Sequence, residues 1–273
     1  MSHVAQVTEA TRRAADRLQH SARTAVPVPP VRELPGIGDL TDAYAVQAEL
    51  VRRRVAEGAR RVGWKIGLTN PAVQRQLGVD EPDYGVLLDD MQVRDHTVDL
   101  SRLIAPRAEA EVAVLLGQDL DSPKKIDDPA ALRASVDRIT AAIEIVDSRI
   151  RDWDITILDT IADNASSAAF VLGEQWQPLG DADLTAVTMS LTQDGAVVSS
   201  GTGRDCLGDP LHAVAWLART ALRLGSPLRA GDLLLTGALG PMVSLVPGTT
   251  LCAEVGWLGS VDLRVRGDAG GAE

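Results

Sequence analysis

Two stretches of the first sixty residues carry helical spacing, and beyond them the pattern of apolar positions changes period. Residues 4–22 read as a polar, Ala-rich helix. The segment "VPVPPVRELPG" follows, and its closely spaced prolines predict an extended connector. In "LTDAYAVQAELVRRRVAEGARR", Tyr44, Gln47, Leu50, Val51 and Val55 fall near one helical face, with Thr41 as the predicted N-cap and Asp42 in the first turn. "VGWKIGL" predicts a short strand. "NPAVQRQLG" predicts a helix running from a cap at Asn70 through Pro71 to Gly78. From about residue 85 the pattern turns to short strands separated by turn signals. Two helices interrupt them. One is "DPAALRASVDRI". In the other, Asp209 caps, Pro210 opens, Leu211, Val214, Leu217, Ala221 and Leu222 share a face, and Gly225 closes. The last third reads as a β-rich meander ending in the disordered tail "RGDAGGAE". The fold class is α/β (α+β). A small α/β N-terminal domain with a helical arm, residues 1–78, precedes a larger β-dominated domain, 79–266, and a tail, 267–273.

Composition narrows the function. The chain has 273 residues, 45% apolar and 24% charged, as in soluble globular proteins. A formal charge of −11 disfavours nucleic acid and anionic membranes as partners. No apolar run approaches the roughly 20 residues of a spanning helix, and the N-terminus lacks the apolar core of a signal peptide. Two cysteines without C-x-x-C spacing, Cys206 and Cys252, fit a reducing cytoplasm and no thiolate zinc site. The four histidines are scattered, so a zinc hydrolase has no support.

The strand-like run "RAEAEVAVLLG" puts Glu109 and Glu111 on one face and Ala110, Val112, Val114 and Leu116 on the other. Such a pair fits a solvated strand edge or a cation site. Glu144, in "ITAAIEIVDSRI", is a single carboxylate among apolar neighbours, which needs an ionic partner such as Arg149 or a metal. Three carboxylates with few histidines suit a hard cation, Mg²⁺ or Mn²⁺. Lys65 lies between Trp64 and Ile66 and either snorkels or stabilises an oxyanion. Asp83 precedes an aromatic residue and a glycine in a loop, and "DNASS" gathers Asp163, Asn164, Ser166 and Ser167. The turn "TGALGPM", with Gly237 and Ala238, lets backbone N–H groups approach a ligand. The glycines of "GTGRDCLG" lack the dinucleotide-binding context.

Together "GWKIGLTNPAVQRQLGVDEPDYGVLLDDM", "RAEAEVAVLLG", "AIEIVDSRIRDWDITILDTIADNASSAAFVLG" and "LLTGALGPMVSLVPGTTLCAEVGWLGSVDLRV" resemble the 2-keto-4-pentenoate hydratase family of the fumarylacetoacetate hydrolase superfamily, over residues 40–265. The resemblance implies a mixed β-roll core, a divalent metal held by Glu109, Glu111 and Glu144, and catalytic positions at Lys65, Asp83 and Ser166. Gly237 and Ala238 join Ser166 as substrate-binding positions. It further implies a homo-oligomer and admits a complex with a neighbouring pathway enzyme. The implied reaction adds water to a 2-hydroxyalka-2,4-dienoate from aromatic-ring catabolism. Lys65 would support oxyanion charge or shuttle a proton, Asp83 would act as base, and Ser166 would hold the carboxylate. Two other functions share these motifs: a 4-oxalocrotonate-type decarboxylase, and a non-catalytic subunit of such an enzyme. No histidine falls where the superfamily's hydrolases carry their catalytic one, which weighs against carbon–carbon bond hydrolysis.

Overall fold

Period-two alternation over ten residues makes Arg107–Leu116 (β4) the central strand of a seven-stranded mixed sheet. A computed structural model of the chain describes residues 7–70, 74 and 81–267. In this sheet β4 lies between Val136–Val146 (β5) and Leu233–Ala238 (β9). Arg61–Gly67 (β1) runs parallel to β9, Asp83–Leu88 (β2) pairs beyond it, and Ser167–Leu172 (β6) flanks β5. The short Val243–Ser244 (β10) pairs with the start of β4. Gly63 sits so close to Leu233 that a Cβ would meet the Leu233 carbonyl oxygen at 1.8 Å. Only glycine permits β1 and β9 to lie side by side there.

A five-stranded sheet is ordered Thr97–Asp99 (β3), Ser260–Arg266 (β12), Thr250–Val255 (β11), Thr188–Gln193 (β7) and Ala196–Thr202 (β8). It packs over β4 and β5, and one buried cluster joins Val112, Val114, Ile143 and Ile145 to Leu251, Ala253 and Leu263. These two layers give the mixed architecture the sequence implies, and the larger sheet takes in β1, which lies before residue 79.

Six helices are described. Glu9–Thr24 (α1) and Leu40–Ala56 (α2) pack with Ile157–Ala162 (α5) around Leu18, Val46 and Ile161. Pro123–Asp127 (α3) and Pro129–Ala134 (α4) are single turns or little more, and Pro210–Arg223 (α6) covers β9. None is long and apolar enough to cross a membrane.

Three boundaries differ from expectation. Asp39, not Thr41, caps α2, its side chain accepting from the Asp42 N–H at 2.9 Å. The expected helix over 128–139 ends at Ala134, because Val136 and Ile139 are claimed by cross-strand pairing with Leu116 and Val114. The N-terminal helix begins at Glu9, with Thr8 as its cap. Most of the helix expected at "NPAVQRQLG", and the tail 268–273, lie outside the described residues.

Candidate active site

Alternation along β4 puts Arg107, Glu109 and Glu111 on one face, and the β4–β5 register sets Glu144 directly opposite Glu109. Like charges at facing positions repel. One carboxylate oxygen of each glutamate nevertheless lies within 4.8 Å of the others. Glu111 and Glu144 are fully buried, and Glu109 is partly open to a cleft. Glu111 Oε2 accepts the Gly237 N–H at 2.7 Å, while its Oε1 and Glu144 Oε1 accept no hydrogen bond and Glu144 Oε2 has only an ion-pair contact. Leaving anionic oxygens buried and unsatisfied is costly, and this all-carboxylate donor set fits a hard divalent cation.

Lys65 approaches from β1. Three inter-strand steps separate β1 from β5, about 14 Å in a flat sheet. The Lys65 Nζ is nevertheless 3.2 Å from Glu144 Oε2, so the sheet curls around the cage. The same ammonium donates to the Ala165 carbonyl at 3.1 Å. Glu144 therefore pairs with Lys65 and not with Arg149. Arg149 is drawn away by the buried carboxylate of Asp163, which takes its backbone N–H as well as its guanidinium. That pair braces the "DNASS" turn, in which Asn164, Ala165 and Ser166 all have positive φ near 55°. The Asn164 side chain holds the turn against β2, accepting from Val86 N at 2.8 Å and donating to Val86 O at 3.0 Å.

Asp83 opens β2, buried across from Gly67. A Cβ on Gly67 would lie 2.2 Å from Asp83 Oδ1 and 3.1 Å from Lys65 Nζ, so glycine makes room for both side chains. Asp83 Oδ1 has no hydrogen-bond partner, and Oδ2 is 3.4 Å from the Thr160 hydroxyl, which is 3.5 Å from Ser166 Oγ. Lys65, Asp83, Glu109, Ser166 and Ala238 line a cleft of about 420 Å³. The Gly237 amide is committed to Glu111, which makes it a support of the cage. A second cavity, about 490 Å³, lies between α1, α2 and the start of β6 and contains none of these groups. Thr160, Gly67, Arg107 and Trp153 are cleft or cage neighbours that sequence patterns did not mark.

Burial sets the protonation states. It pushes the Glu109 carboxyl up to about 7, with Glu144 and Asp83 adding to the rise and Lys65 opposing it. Burial and the neighbouring carboxylates raise Glu111 well above the usual range. Burial likewise raises Asp83, against the pull of Lys65. Burial alone would lower Lys65, but Glu144, Asp83, Glu109 and Glu111 outweigh it and the ammonium keeps its proton. A pH dependence follows from Glu109. Its folded value lies above the unfolded value of about 4.3, so the metal-free native state binds the extra proton. Stability of that form should fall as pH rises from about 4.3 to about 7. A dication displaces the proton, so the gap in unfolding temperature between metal-loaded and metal-free protein should widen over the same interval. A gap that stays constant from pH 5 to 8 would contradict this.

Comparison with known proteins agrees with the geometry. The family model for the fumarylacetoacetate (FAA) hydrolase C-terminal region matches residues 89–266. A 2-keto-4-pentenoate hydratase of Paraburkholderia phymatum is 51% identical over 248 residues, 90% of this chain and 94% of that protein. A 2-hydroxyhexa-2,4-dienoate hydratase of Comamonas testosteroni is 37% identical over 251 residues, 91% and 94% of the two chains. Among solved structures, 4-oxalocrotonate decarboxylase from Pseudomonas putida G7, complexed with magnesium and adipate, superimposes with a TM-score of 0.88 at 33% identity, covering 94% of this chain and 97% of that one. Matched nearly end to end by the hydratases and carrying the superfamily's fold around three converging carboxylates, the chain belongs to the 2-keto-4-pentenoate hydratase family of the fumarylacetoacetate hydrolase superfamily, and it is a hydro-lyase.

Proposed function

We propose that this protein is a divalent-metal-dependent hydratase that adds water to a 2-hydroxyalka-2,4-dienoate of the 2-oxopent-4-enoate type. The product is a 4-hydroxy-2-oxoalkanoate, formed in the meta-cleavage catabolism of aromatic compounds. The observation that carries the reading is the cage: three carboxylates brought within 4.8 Å of one another beside a cleft, two of them buried with oxygens that accept no hydrogen bond. The names of the relatives support the substrate class, and the magnesium of the decarboxylase supports the cation.

Glu109, Glu111 and Glu144 would hold the cation. Once bound, it supplies Lewis acidity toward the carboxylate and 2-oxygen of the acid. The remaining chemistry belongs to the chain. Lys65 keeps its proton and presents a fixed positive charge where enolate charge develops. Asp83, buried and with Oδ1 free of any donor, takes a proton from the attacking water or carries one to carbon. Ser166 offers a hydroxyl to the substrate carboxylate, and Thr160 links it to Asp83. The strand walls and the "DNASS" turn exclude bulk water from Lys65 and Asp83, both nearly fully buried.

The test incubates purified protein with a monoacid dienol and, separately, with a γ-carboxylated 2-oxo acid. Dienol absorbance should decay only when a divalent metal is present and stop on chelation. Carbon dioxide release from the diacid without dienol turnover would show a decarboxylase instead.

A further inference from the structure

Arg107 stands two residues before the first cage glutamate, on the same face of β4, and lines the cleft. Its guanidinium lies over the Trp153 ring at 4.5 Å from the centroid and donates to Met242 Sδ at 3.5 Å. Neither is an anion, and no carboxylate among the described residues forms a close ion pair with it, although Glu109 two residues along feels its charge. Most other arginines that line a cavity here have acidic partners, Arg149 with Asp163 and Arg54 with Asp90. Arg107 therefore brings a positive charge with no close ion pair of its own, and a planar fork of donors, into a cleft otherwise dominated by acids.

Trp153 is held there at a cost. It and Asp152 both have positive φ, 54° and 59°, which bulky residues avoid, and such strain survives only where the surroundings impose it. The imposed contact is the indole N–H, which donates to the Ala105 carbonyl at 3.0 Å and fixes the ring beneath the guanidinium. Register places this pair beside the site. Arg107 faces Val146 on β5, Val146 faces Ser167 on β6, and Ser167 follows Ser166.

We infer that Arg107, laid flat on Trp153, is a carboxylate-binding residue of the cleft and helps decide which acids the enzyme accepts. The inference rests on the hydratase reading for the identity of the acid, but the guanidinium's chemistry is the same for any 2-oxo acid. A carboxylate could reach it from either end of the substrate: the C1 group shared by all 2-oxo acids, or a second group at the far end of a diacid. Bidentate guanidinium–carboxylate pairing on an aromatic plate is a geometry that lysine does not reproduce.

The experiment uses full-length protein loaded with Mn²⁺. Wild type, Arg107→Gln and Arg107→Lys are titrated with 2-oxopentanoate and 2-oxoheptanedioate, which carry one and two carboxylates. Binding is read by tryptophan fluorescence and water-proton relaxation, and KM and kcat are read on the dienol. Arg107→Gln should weaken binding by about 10- to 100-fold, the range for a charge-assisted hydrogen bond, with Arg107→Lys restoring part of the loss. Weakening of both acids assigns the C1 carboxylate; weakening of the diacid alone assigns the distal one. Either result supports the inference if Mn²⁺ affinity and unfolding temperature are not reduced. Equal affinity of wild type and Arg107→Gln for both acids would overturn it. Should wild type hydrate no dienol while Arg107→Gln still loses acid binding, the hydratase reading fails and the subsite stands.

Discussion

Glu111→Gln should yield a folded protein that binds no divalent cation at the cage and loses hydratase activity by at least about 10³-fold. A catalytic metal supplies several kcal/mol of charge stabilisation, and each 1.36 kcal/mol is tenfold in rate. Glutamine keeps the shape of the side chain and an oxygen for the Gly237 N–H, which sits 2.7 Å from Glu111 Oε2. What it removes is one of three carboxylates that repel one another. Glu111 is fully buried and its carboxyl is raised well above the usual range, so its ionised form destabilises the metal-free fold. At neutral pH the metal-free variant should therefore unfold at the same temperature as wild type or higher. Activity and stability then move in opposite directions, which separates a lost ligand from a damaged fold. Metal-dependent turnover near the wild-type level would remove Glu111 from the cage.

Lys65→Met carries the second large effect. The ammonium is the one cation in contact with Glu144 among the described residues, at 3.2 Å, and it also anchors the Ala165 carbonyl. Methionine fills similar space without charge. Removing one partner of a buried pair leaves the other uncompensated, a loss of about 3–5 kcal/mol. The metal-free variant should accordingly lose stability, and added Mn²⁺ should restore much of it by neutralising Glu144. Activity should not return with it. A positioned charge aimed at a developing oxyanion is worth about 10²–10³ in kcat, and the cation cannot replace it at that position. Metal affinity should hold or rise, since a competing positive charge is gone. Full kcat in metal-saturated Lys65→Met would limit Lys65 to a structural role.

The cage was legible in sequence because its cause is local. Alternation alone puts Glu109 and Glu111 on one face, and apolar neighbours alone mark Glu144 as needing a partner. Identifying that partner was not local. Arg149 is five residues from Glu144 and looked available, yet it faces Asp163, while Lys65 arrives from three strands away because the sheet curls. The 128–139 segment failed in the same manner. Its Asp–Pro start is a true helix signal, but Val136–Ile139 gain more from pairing with β4 than from a third turn. Asp39 and Thr41 are both competent caps, and only the backbone chooses between them. The stacking of Arg107 on Trp153 had no signal at all, since it joins residues 46 positions apart through a strained turn.

The central claim is that Glu109, Glu111 and Glu144 grip one dication. Anomalous diffraction from crystals grown with Mn²⁺ tests it most directly. The account predicts one strong site in the cleft, within about 2.2 Å of an oxygen of each of the three carboxylates, and its absence from Glu111→Gln crystals. Manganese bound elsewhere, with the three carboxylates turned away from a common point, would contradict it.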